Sequence, residues 1–426
     1  MTALKVTLWD MVIGYLAWDE KNNTSIFESS NEYLGSPLNI APFIHPNKKD
    51  KLIGADFHEK FNGLIPCFSD SLPDYFGDIV FKEWLEQLQL DQSSMNPVER
   101  LLYVGTTGIG GLEYHDAKVI PSTGKPLNLE YLAILSDKII KGNYGKEDFL
   151  KDSGTLQHLL SIGSSVGGAQ AKIMLALHND ADQMEWLPGN VLHKNNSVEY
   201  YIVKLDHDPH HIWQREKHLV EFVYHQMAKE IGIHTADTRL IQDGERTHFA
   251  SKRFDRIGQK KLHQQTASAL LGFFGKSAEI GYEDIFKLME FLGLSHMEKE
   301  QLFTQMVFNV VYSNRDDHTK NFSFLMDETG TWSLSPAYDL TFPFDPYRNF
   351  RMPHKISINK KLKEISKKDI QSVARKVGIT NDHRILNRVI ESSRSVSKRL
   401  AESGVSDKTV DLMVKDIQRN LSFLNS

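Results

Sequence analysis

A short acidic stretch, residues 312–322, constrains this chain more than any other feature of its sequence. Six consecutive positions of it hold Asp316, Asp317, His318, Lys320 and Asn321. The stretch follows the apolar run 306–312, and the segments 322–326 and 331–334 alternate around an Asp-Glu-Thr-Gly turn, which predicts a β-hairpin. An isolated charge cluster is usually a solvated surface loop, but here a further acid, Asp339, follows the hairpin directly. The combination indicates a functional site.

The order of these side chains indicates phosphoryl transfer. Asp316 is followed by Asn321, and Asp339 lies beyond the hairpin. Kinases use a first carboxylate to orient a hydroxyl nucleophile and an Asn carbonyl to hold one metal ion. A last carboxylate then holds metal that bridges the phosphates. Phosphoryl transfer is therefore the leading hypothesis from this stretch alone.

Length and composition are those of a globular protein with two or three domains, since the chain has 426 residues. Cys67 is the single cysteine, which excludes an intrachain disulfide and a cysteine-based zinc site and favours a reducing, cytoplasmic setting. The formal charge of −5 argues against a chain that coats nucleic acid by itself. We expect no signal peptide and no membrane segment, because no window approaches the roughly 20 apolar residues that span a bilayer. The sequence contains no HExxH motif, so a zinc hydrolase has no support.

The first part of the chain reads as a small antiparallel sheet followed by helices. Strand-rich runs at 4–9, 12–18 and 24–27 predict the sheet. Apolar residues at helical spacing predict a helix within 68–90, and a second helix is expected over 128–141. A further short helix is predicted after the capping pair Asn96-Pro97.

Two glycine-rich segments invite a phosphate-binding interpretation. Residues 105–111 lack the Lys-Ser/Thr ending of a phosphate loop, and a tight turn before a strand at 112–114 explains them better. Residues 161–172 combine serines and glycines with a lysine before the apolar run 173–177. Such a loop can present backbone N–H groups to phosphate oxygens, and a flexible hairpin is the open alternative.

A lysine within an apolar strand, Lys204 in 200–205, is favoured as a phosphate contact over a lysine on an edge strand. Glu221, on the helix that follows, is its candidate partner, although a solvated helix face explains this acid equally well. A hairpin from 238–241 to 248–254 would then run into the linker where a two-lobed kinase docks adenine.

The remainder of the chain is predicted to be mainly helical, and the turn-rich segment 121–126 suits a domain boundary. Helices are expected over 267–274, 282–292, 297–311, 367–377, 383–403 and 407–424. We predict an N-terminal β-containing subdomain over 1–120, the rest of the N-lobe over 121–256 and a helical catalytic lobe over 257–426.

Five motifs lie in a fixed order along the chain. They are the loop Ser165-Val-Gly-Gly-Ala-Gln-Ala-Lys172, the strand lysine Lys204, the stretch Arg253-Phe-Asp-Arg256, the motif Asp316-Asp-His-Thr-Lys-Asn321 and the motif Pro336-Ala-Tyr-Asp339. With them the chain resembles, nearly end to end, the HipA family of serine/threonine kinase toxins, whose small N-terminal subdomain is matched by 6–27 and 105–114. The resemblance implies an α+β, two-lobed protein-kinase-like fold with a β-rich N-terminal subdomain and a mainly α-helical C-terminal lobe. One departure is Val220, where the family usually has Asn before the helical Glu.

The resemblance also implies roles for individual residues, with ATP and Mg²⁺ as cofactors. Asp316 would be the catalytic base, Asn321 and Asp339 would hold the metal, and Ser165 would be autophosphorylated, which ejects its loop and switches the kinase off. Ser164, beside it, leaves the acceptor open. The implied nucleotide-binding set is Lys204, Ser164, Val166, Gly167, Gly168, Lys252, Phe254, His318 and Lys320.

The family also implies partners. A small helix-turn-helix, HipB-like antitoxin would neutralise the kinase and bind operator DNA, so that this chain meets DNA only indirectly. The protein target would be an aminoacyl-tRNA synthetase, such as glutamyl-tRNA synthetase, or another protein. Two alternatives remain open: a kinase-fold corepressor that works mainly with its DNA-binding antitoxin, and a small-molecule kinase. Intact Asp316, Asn321, Asp339 and Lys204 favour an enzyme, because a scaffold need not retain metal ligands.

Overall fold

The computed structural model describes residues 3–45, 52–54, 61–73, 75–91, 95–116, 118, 126–145, 147–148, 156, 159–163, 170–180, 183–194, 197–273, 279–343 and 352–425. The strands β1–β15 in this part of the chain are Leu4–Leu8, Met11–Asp19, Thr24–Ser29, Leu52–Gly54, Leu112–Tyr114, Lys172–Asp180, Gln183–Pro188, Val198–Lys204, Thr238–Asp243, Arg246–Lys252, Arg256–Ile257, Lys260–Lys261, His263–Thr266, Ser323–Met326 and Trp332–Leu334. The helices α1–α13 are Asn31–Gly35, Pro66–Ser69, Tyr75–Gln87, Pro97–Leu101, Leu129–Ile140, Ile212–Glu230, Ala267–Leu271, Tyr282–Phe291, His296–Val311, Lys367–Val377, Asp382–Ser393, Val396–Glu402 and Asp407–Leu424.

The chain divides by its internal contacts into two units. The first contains Met1–Pro209, Ile241–Gln265 and Leu325–Thr331, and the second contains His210–Leu240, Thr266–Phe324 and Trp332–Ser426. The three domains predicted from the sequence stay predictions.

The N-terminal sheet of the first unit has the strand order β4-β3-β2-β1-β5, and its pairings are antiparallel. Gly14 in β2 is explained by the neighbouring strand, because a Cβ there would lie 2.5 Å from a ring carbon of Phe27. That ring packs instead against Phe68 on α2, with 5.0 Å between the ring centroids. The predicted opening sheet is therefore present and closes over its own small core.

A second sheet in the same unit has the order β7-β6-β8-β10-β9. Its strands are antiparallel where β6 meets β7 and β8, and where β8 meets β10. One face of it joins the helices α3 and α5 in a hydrophobic core that includes Phe76, Val80, Leu132, Ile173, Leu175, Tyr201, Val203 and Ala250. Because side chains alternate along a strand, the residues between these apolar ones point to the other face.

The second unit is built around α9, whose residues from Leu302 to Val311 are all buried. A capping box of Ser295 and Glu298 starts this helix, and α9 packs against α11 and α13. Ser313, with φ of 59°, turns the chain sharply after the helix. The apolar run predicted to deliver the acidic stretch is thus a buried helix that ends where the stretch begins.

Two predicted helices are each divided in the structure. The prediction over 68–90 is replaced by α2 and α3, because Pro73 lies between them and cannot continue a helical hydrogen-bond ladder. The prediction over 383–403 is replaced by α11 and α12. Between these helices Arg394 and Ser395 donate to carbonyls only three residues back, at 3.2 Å each, which tightens the chain and resets the buried face.

A buried ion network connects the glycine-rich turn 105–111 to the end of β10. The Gly110 N–H donates to Asp255 Oδ2 at 2.8 Å, and Gly110 has φ of 77°, which favours glycine. Arg253 and Arg256 donate to the same carboxylate at 2.8 and 2.6 Å, and Arg256 also donates to the Gly108 carbonyl. Burial alone would raise the pKa of Asp255, yet the two guanidinium groups hold that pKa well below its usual range. The turn therefore has a structural role, since it is bonded to Asp255 and Arg256, which agrees with the tight turn favoured from sequence.

Acid is expected to destabilise the first unit through His263. Burial lowers the pKa of this imidazole to about 3. At a pH between about 3 and the ordinary pKa of about 6.5, this histidine binds a proton in the unfolded chain but not in the folded chain. The free energy of unfolding therefore falls as the pH falls. The loss approaches about 1.4 kcal/mol per pH unit within this window. Denaturant titrations from pH 7 to pH 4 measure it. His263→Met should flatten the slope and the exposed-site control His296→Gln should not, whereas equal slopes in all three proteins would contradict the assignment.

Candidate active site

The acidic stretch folds into a loop that is closed by its own hydrogen bonds. The Asp316 carbonyl accepts the His318 N–H at 2.9 Å and the Asn321 Nδ2–H at 2.8 Å, and the Asn321 N–H donates to the His318 carbonyl at 2.9 Å. A 3₁₀ turn, Thr319–Asn321, results. Asp316 keeps a side chain that is 38% exposed, so its carboxylate is accessible, and His318 Nε2 lies 3.9 Å from it. The loop therefore holds an accessible acid on a rigid backbone.

The segment that carries Asp339 is attached to this loop. Tyr338 donates its hydroxyl hydrogen to the Lys320 carbonyl at 2.7 Å, and its oxygen lies 2.6 Å from Ser323 Oγ. Ala337 donates its N–H to the His234 carbonyl at 2.8 Å. Asp339 itself has φ of 52°, an uncommon backbone conformation for a residue other than glycine. The structure thus brings the segments of Asp316, Asn321 and Asp339 together within the second unit.

The chemistry of these side chains fits a hard divalent cation. Asn321 uses its amide nitrogen to bind the Asp316 carbonyl, which assigns the amide oxygen as the atom that can face a metal. Amide and carboxylate oxygens are ligands that Mg²⁺ prefers, and Mg²⁺ is commonly bound by one or two carboxylates together with phosphates and water. Among the described residues no group of three or more His, Cys, Asp or Glu side chains could hold a metal by itself. A site shared between protein and substrate phosphates fits this donor set.

In the first unit, two buried lysines share the sheet face that does not carry the hydrophobic core. Lys172 on β6 and Lys204 on β8 are directly paired across the strands, and they are 6% and 5% exposed. Like charges at directly opposed positions destabilise a sheet, and an anion beside the two lysines would offset their repulsion. Lys204 Nζ also lies 5.5 Å from the ring centroid of Phe249, its partner on β10. The charges suit the phosphates of a nucleotide.

Comparisons with known proteins identify the family of this chain. A family model of the HipA-like C-terminal domain matches residues 164–399, and one of the HipA N-terminal domain matches residues 4–115. The chain belongs to the HipA family. The HipA of Shewanella oneidensis, a serine/threonine-protein kinase toxin, is 27% identical over 175 residues, which cover 35% of this chain and 40% of that protein. A putative kinase from Haemophilus influenzae is 21% identical over 298 residues, 62% of this chain and 82% of that protein.

The fold also matches a solved HipA structure. The HipA chain in a complex of Shewanella oneidensis HipA, HipB and operator DNA superposes with a TM-score of 0.65 and 18% identity, covering 99% of this chain and 96% of that one. The predicted α+β, two-lobed, kinase-like fold of the HipA family is confirmed. Within the described residues, every helix is too short or too polar to span a bilayer.

The structure decides whether Glu221 of this HipA-family chain lies on a solvated helix face, a question that the sequence left open. Glu221 on α6 is 1% exposed, so the interpretation as a solvated helix face is wrong. Val220, at the position where the family usually has Asn, is fully buried as well. The pairing of Glu221 with Lys204 stays a prediction, since the two residues belong to different units.

Other predicted nucleotide-binding residues of the HipA-type site differ in what the structure says of them. Lys252 ends β10 and its Nζ lies 2.5 Å from Glu199 Oε1 in a half-exposed ion pair, while Phe254, two residues on, is partly exposed. The glycine-loop residues Ser164, Ser165, Val166, Gly167 and Gly168 lie outside the described residues.

The sequence analysis assigned no separate role to the two residues that flank Asp316, Arg315 and Asp317. Arg315 binds Asp416 on α13 at 2.8 Å, and Asp317 is buried among donors of its own unit. The signal for both was their position beside Asp316, but nothing in the sequence says which of two adjacent aspartates turns inward.

Proposed function

We propose that this protein is an ATP-dependent serine/threonine protein kinase that acts as the toxin of a type II toxin–antitoxin system. The observation that carries the proposal is the joining of Asp316, Asn321 and the Asp339 segment through the Asn321 and Tyr338 hydrogen bonds. Membership of the HipA family and relatives that are named as kinases support it.

The residues of the second unit would perform the transfer as follows. Asp316 orients the acceptor hydroxyl and accepts its proton, because it is the accessible carboxylate on the closed loop. Asn321 and Asp339 hold Mg²⁺ through their side-chain oxygens. His318 and Lys320, on the same loop, face the nucleotide. If bound there, Mg²⁺ would offset the negative charge that develops on the phosphate oxygens, and ATP would supply the phosphoryl group.

The residues of the first unit would bind the nucleotide. Lys204, together with Lys172, neutralises phosphate oxygens, since both cations lie on one sheet face. Lys252 is held by Glu199, so its contribution to an adenine site falls to its backbone, with Phe254 contributing its ring. Ser164, Val166, Gly167 and Gly168 complete the set as the loop that covers the phosphates.

We further propose partners and a target from the family. The similar structure is a complex of HipA with HipB and operator DNA, which supports a HipB-like antitoxin for this chain. Contact with DNA only through that partner is part of the proposal. The target is proposed to be a protein, with an aminoacyl-tRNA synthetase such as glutamyl-tRNA synthetase as the first candidate to test. The alternative proposal is a kinase-fold corepressor that works mainly with a DNA-binding antitoxin.

We expect Ser165 to be autophosphorylated and this modification to switch the kinase off. Detecting the modification tests the proposed function. The purified chain, incubated with Mg²⁺ and ATP, should gain one phosphate in the peptide 161–172, detected by mass spectrometry. A phosphate adds about −1.5 to −2 charges, which repel ATP phosphates, so calorimetric affinity for ATP should fall as the modification accumulates. Ser165→Ala and Ser164→Ala separate the two acceptors. An unmodified peptide, or undiminished ATP affinity of the phosphorylated form, would contradict the switch.

A further inference from the structure

Asp316 and Asp317 are adjacent and chemically identical, yet they face opposite environments. The Asp316 side chain is 38% exposed, whereas the Asp317 side chain is completely buried. A buried carboxylate is costly unless donors surround it. Asp317 has three of them: the Tyr282 hydroxyl at 3.0 Å, His354 Nδ1 at 2.7 Å and the Lys355 backbone N–H at 2.8 Å.

The donors of Asp317 are themselves aligned by further hydrogen bonds. Asn309 on α9 donates its amide to the Tyr282 hydroxyl at 3.0 Å, and Asn314 donates to Asn309 Oδ1 at 3.0 Å. Each hydrogen bond in this series donates in the direction of the Asp317 carboxylate, so one donor direction runs from α9 to the loop. These bonds orient the donors next to the carboxylate, while Asn314 Oδ1, at the far end of the network, has no hydrogen-bond partner among the described residues.

The other end of the network lies in the segment 352–358, which follows Asp339 in the sequence. This segment is itself held at the start of α8. Ser357 donates its N–H to the carbonyl of Ile280, which precedes the helix, at 2.9 Å, and its carbonyl accepts the Tyr282 N–H at 3.0 Å. His354 additionally donates its backbone N–H to the Leu362 carbonyl at 2.9 Å. Asp317 therefore connects the loop of Asp316 to a segment that backbone hydrogen bonds, which do not involve Asp317, also hold in place.

We propose that Asp317 is a positioning residue that sets the place of Asp316 through His354 and Lys355. The expected effect on the reaction rate rests on the proposed kinase function, whereas the expected effect on the loop structure does not depend on it. Because Asp316 and Asp317 share a peptide bond, releasing the Asp317 carboxylate allows the Asp316 backbone to shift. A displacement of about 1 Å of a reacting group costs up to about 10²-fold in rate.

The test compares substitutions at Asp317 and at a matched buried carboxylate. Asp369 is also buried and is held by Asn359, Lys361 and Ser366, none of which belongs to the loop of Asp316. Asp317→Ala should reduce the rate of autophosphorylation by 10-fold to 100-fold at saturating ATP, with an unchanged calorimetric Kd for Mg²⁺–ATP. Asp369→Ala should lower the melting temperature but keep the rate, measured well below both melting temperatures.

Rescue at His354 separates positioning from general loss of packing. His354→Asn retains a side-chain N–H near the position of Nδ1 and should keep most of the rate, whereas His354→Leu should lose it as Asp317→Ala does. A wild-type rate in Asp317→Ala, or equal losses in His354→Asn and His354→Leu, would overturn the proposal.

Hydrogen exchange of the nucleotide-free protein tests the linkage without any catalysis. In Asp317→Ala, the Lys355 amide and the backbone of 313–321 should both exchange at least 10-fold faster than in the wild type. If the wild type transfers no phosphate but this acceleration is seen, the proposed function fails and the positioning network stands. Unchanged exchange in 313–321 would overturn the network whatever the activity.

Discussion

Asp316→Asn is expected to abolish most phosphoryl transfer while ATP binding persists. Removing a group that orients a hydroxyl and accepts its proton costs about 10²–10⁴-fold. The substitution keeps the side-chain volume, and the backbone carbonyl of residue 316 still accepts the Asn321 amide. The loop should therefore stay closed, so that the loss falls on the rate constant and not on the Kd for ATP.

The measurement is the rate of phosphate incorporation from labelled ATP into the protein, together with a calorimetric Kd in the presence of Mg²⁺. Asp339→Asn provides the comparison, because it should raise the Mg²⁺ concentration needed for half-maximal ATP binding, which Asp316→Asn should not do. Asp327→Asn, in the turn of the hairpin, is the matched control and should behave as the wild type, because the amide oxygen can still accept the turn N–H groups of Thr329 and Thr331. Full activity of Asp316→Asn would remove this residue from its proposed role.

Asp255→Asn is expected to have the largest effect on stability. Two arginines, Arg253 and Arg256, would then remain buried beside a neutral amide, and breaking a buried ion network from one side costs about 3–5 kcal/mol. For a unit of this size the melting temperature should fall by roughly 10 °C. The contribution of Asp255 is present above the ordinary pKa of the carboxyl and is lost only as the pH falls through its depressed folded value.

Thermal and denaturant unfolding, followed by circular dichroism at pH 7, measure this effect. Asp19, a partly exposed residue at the end of β2, is a matched control, and Asp19→Asn should leave the melting temperature close to that of the wild type. The Asp255 variant should also loosen the glycine turn, seen as faster hydrogen exchange at Gly110, whose N–H donates to this carboxylate. An unchanged melting temperature would mean that the network contributes nothing net to folding.

Local signals in the sequence predicted much of the fold. The helices Lys367–Val377 and Asp407–Leu424 have the bounds expected from their periodicity, and Asn96 and Asn128 cap the helices that follow them. These features depend on residues within one or two helical turns, so the sequence contains the information directly. Where a break depends on packing, as between α11 and α12, the periodicity alone predicted one long helix in place of two shorter ones.

The sequence by itself determined the motif by which the chain resembles the HipA family, because Asp316 to Asn321 is contiguous and Asp339 follows a short hairpin. Only the tertiary structure decided which of two adjacent aspartates is exposed, since the donors to Asp317 lie 35 to 38 residues away. The same is true of Asp255 and Gly110, which are 145 residues apart. The opposition of Lys172 and Lys204 likewise follows from strand register. Such pairings arise when distant segments bury polar groups that must find partners, and no local pattern encodes that partner.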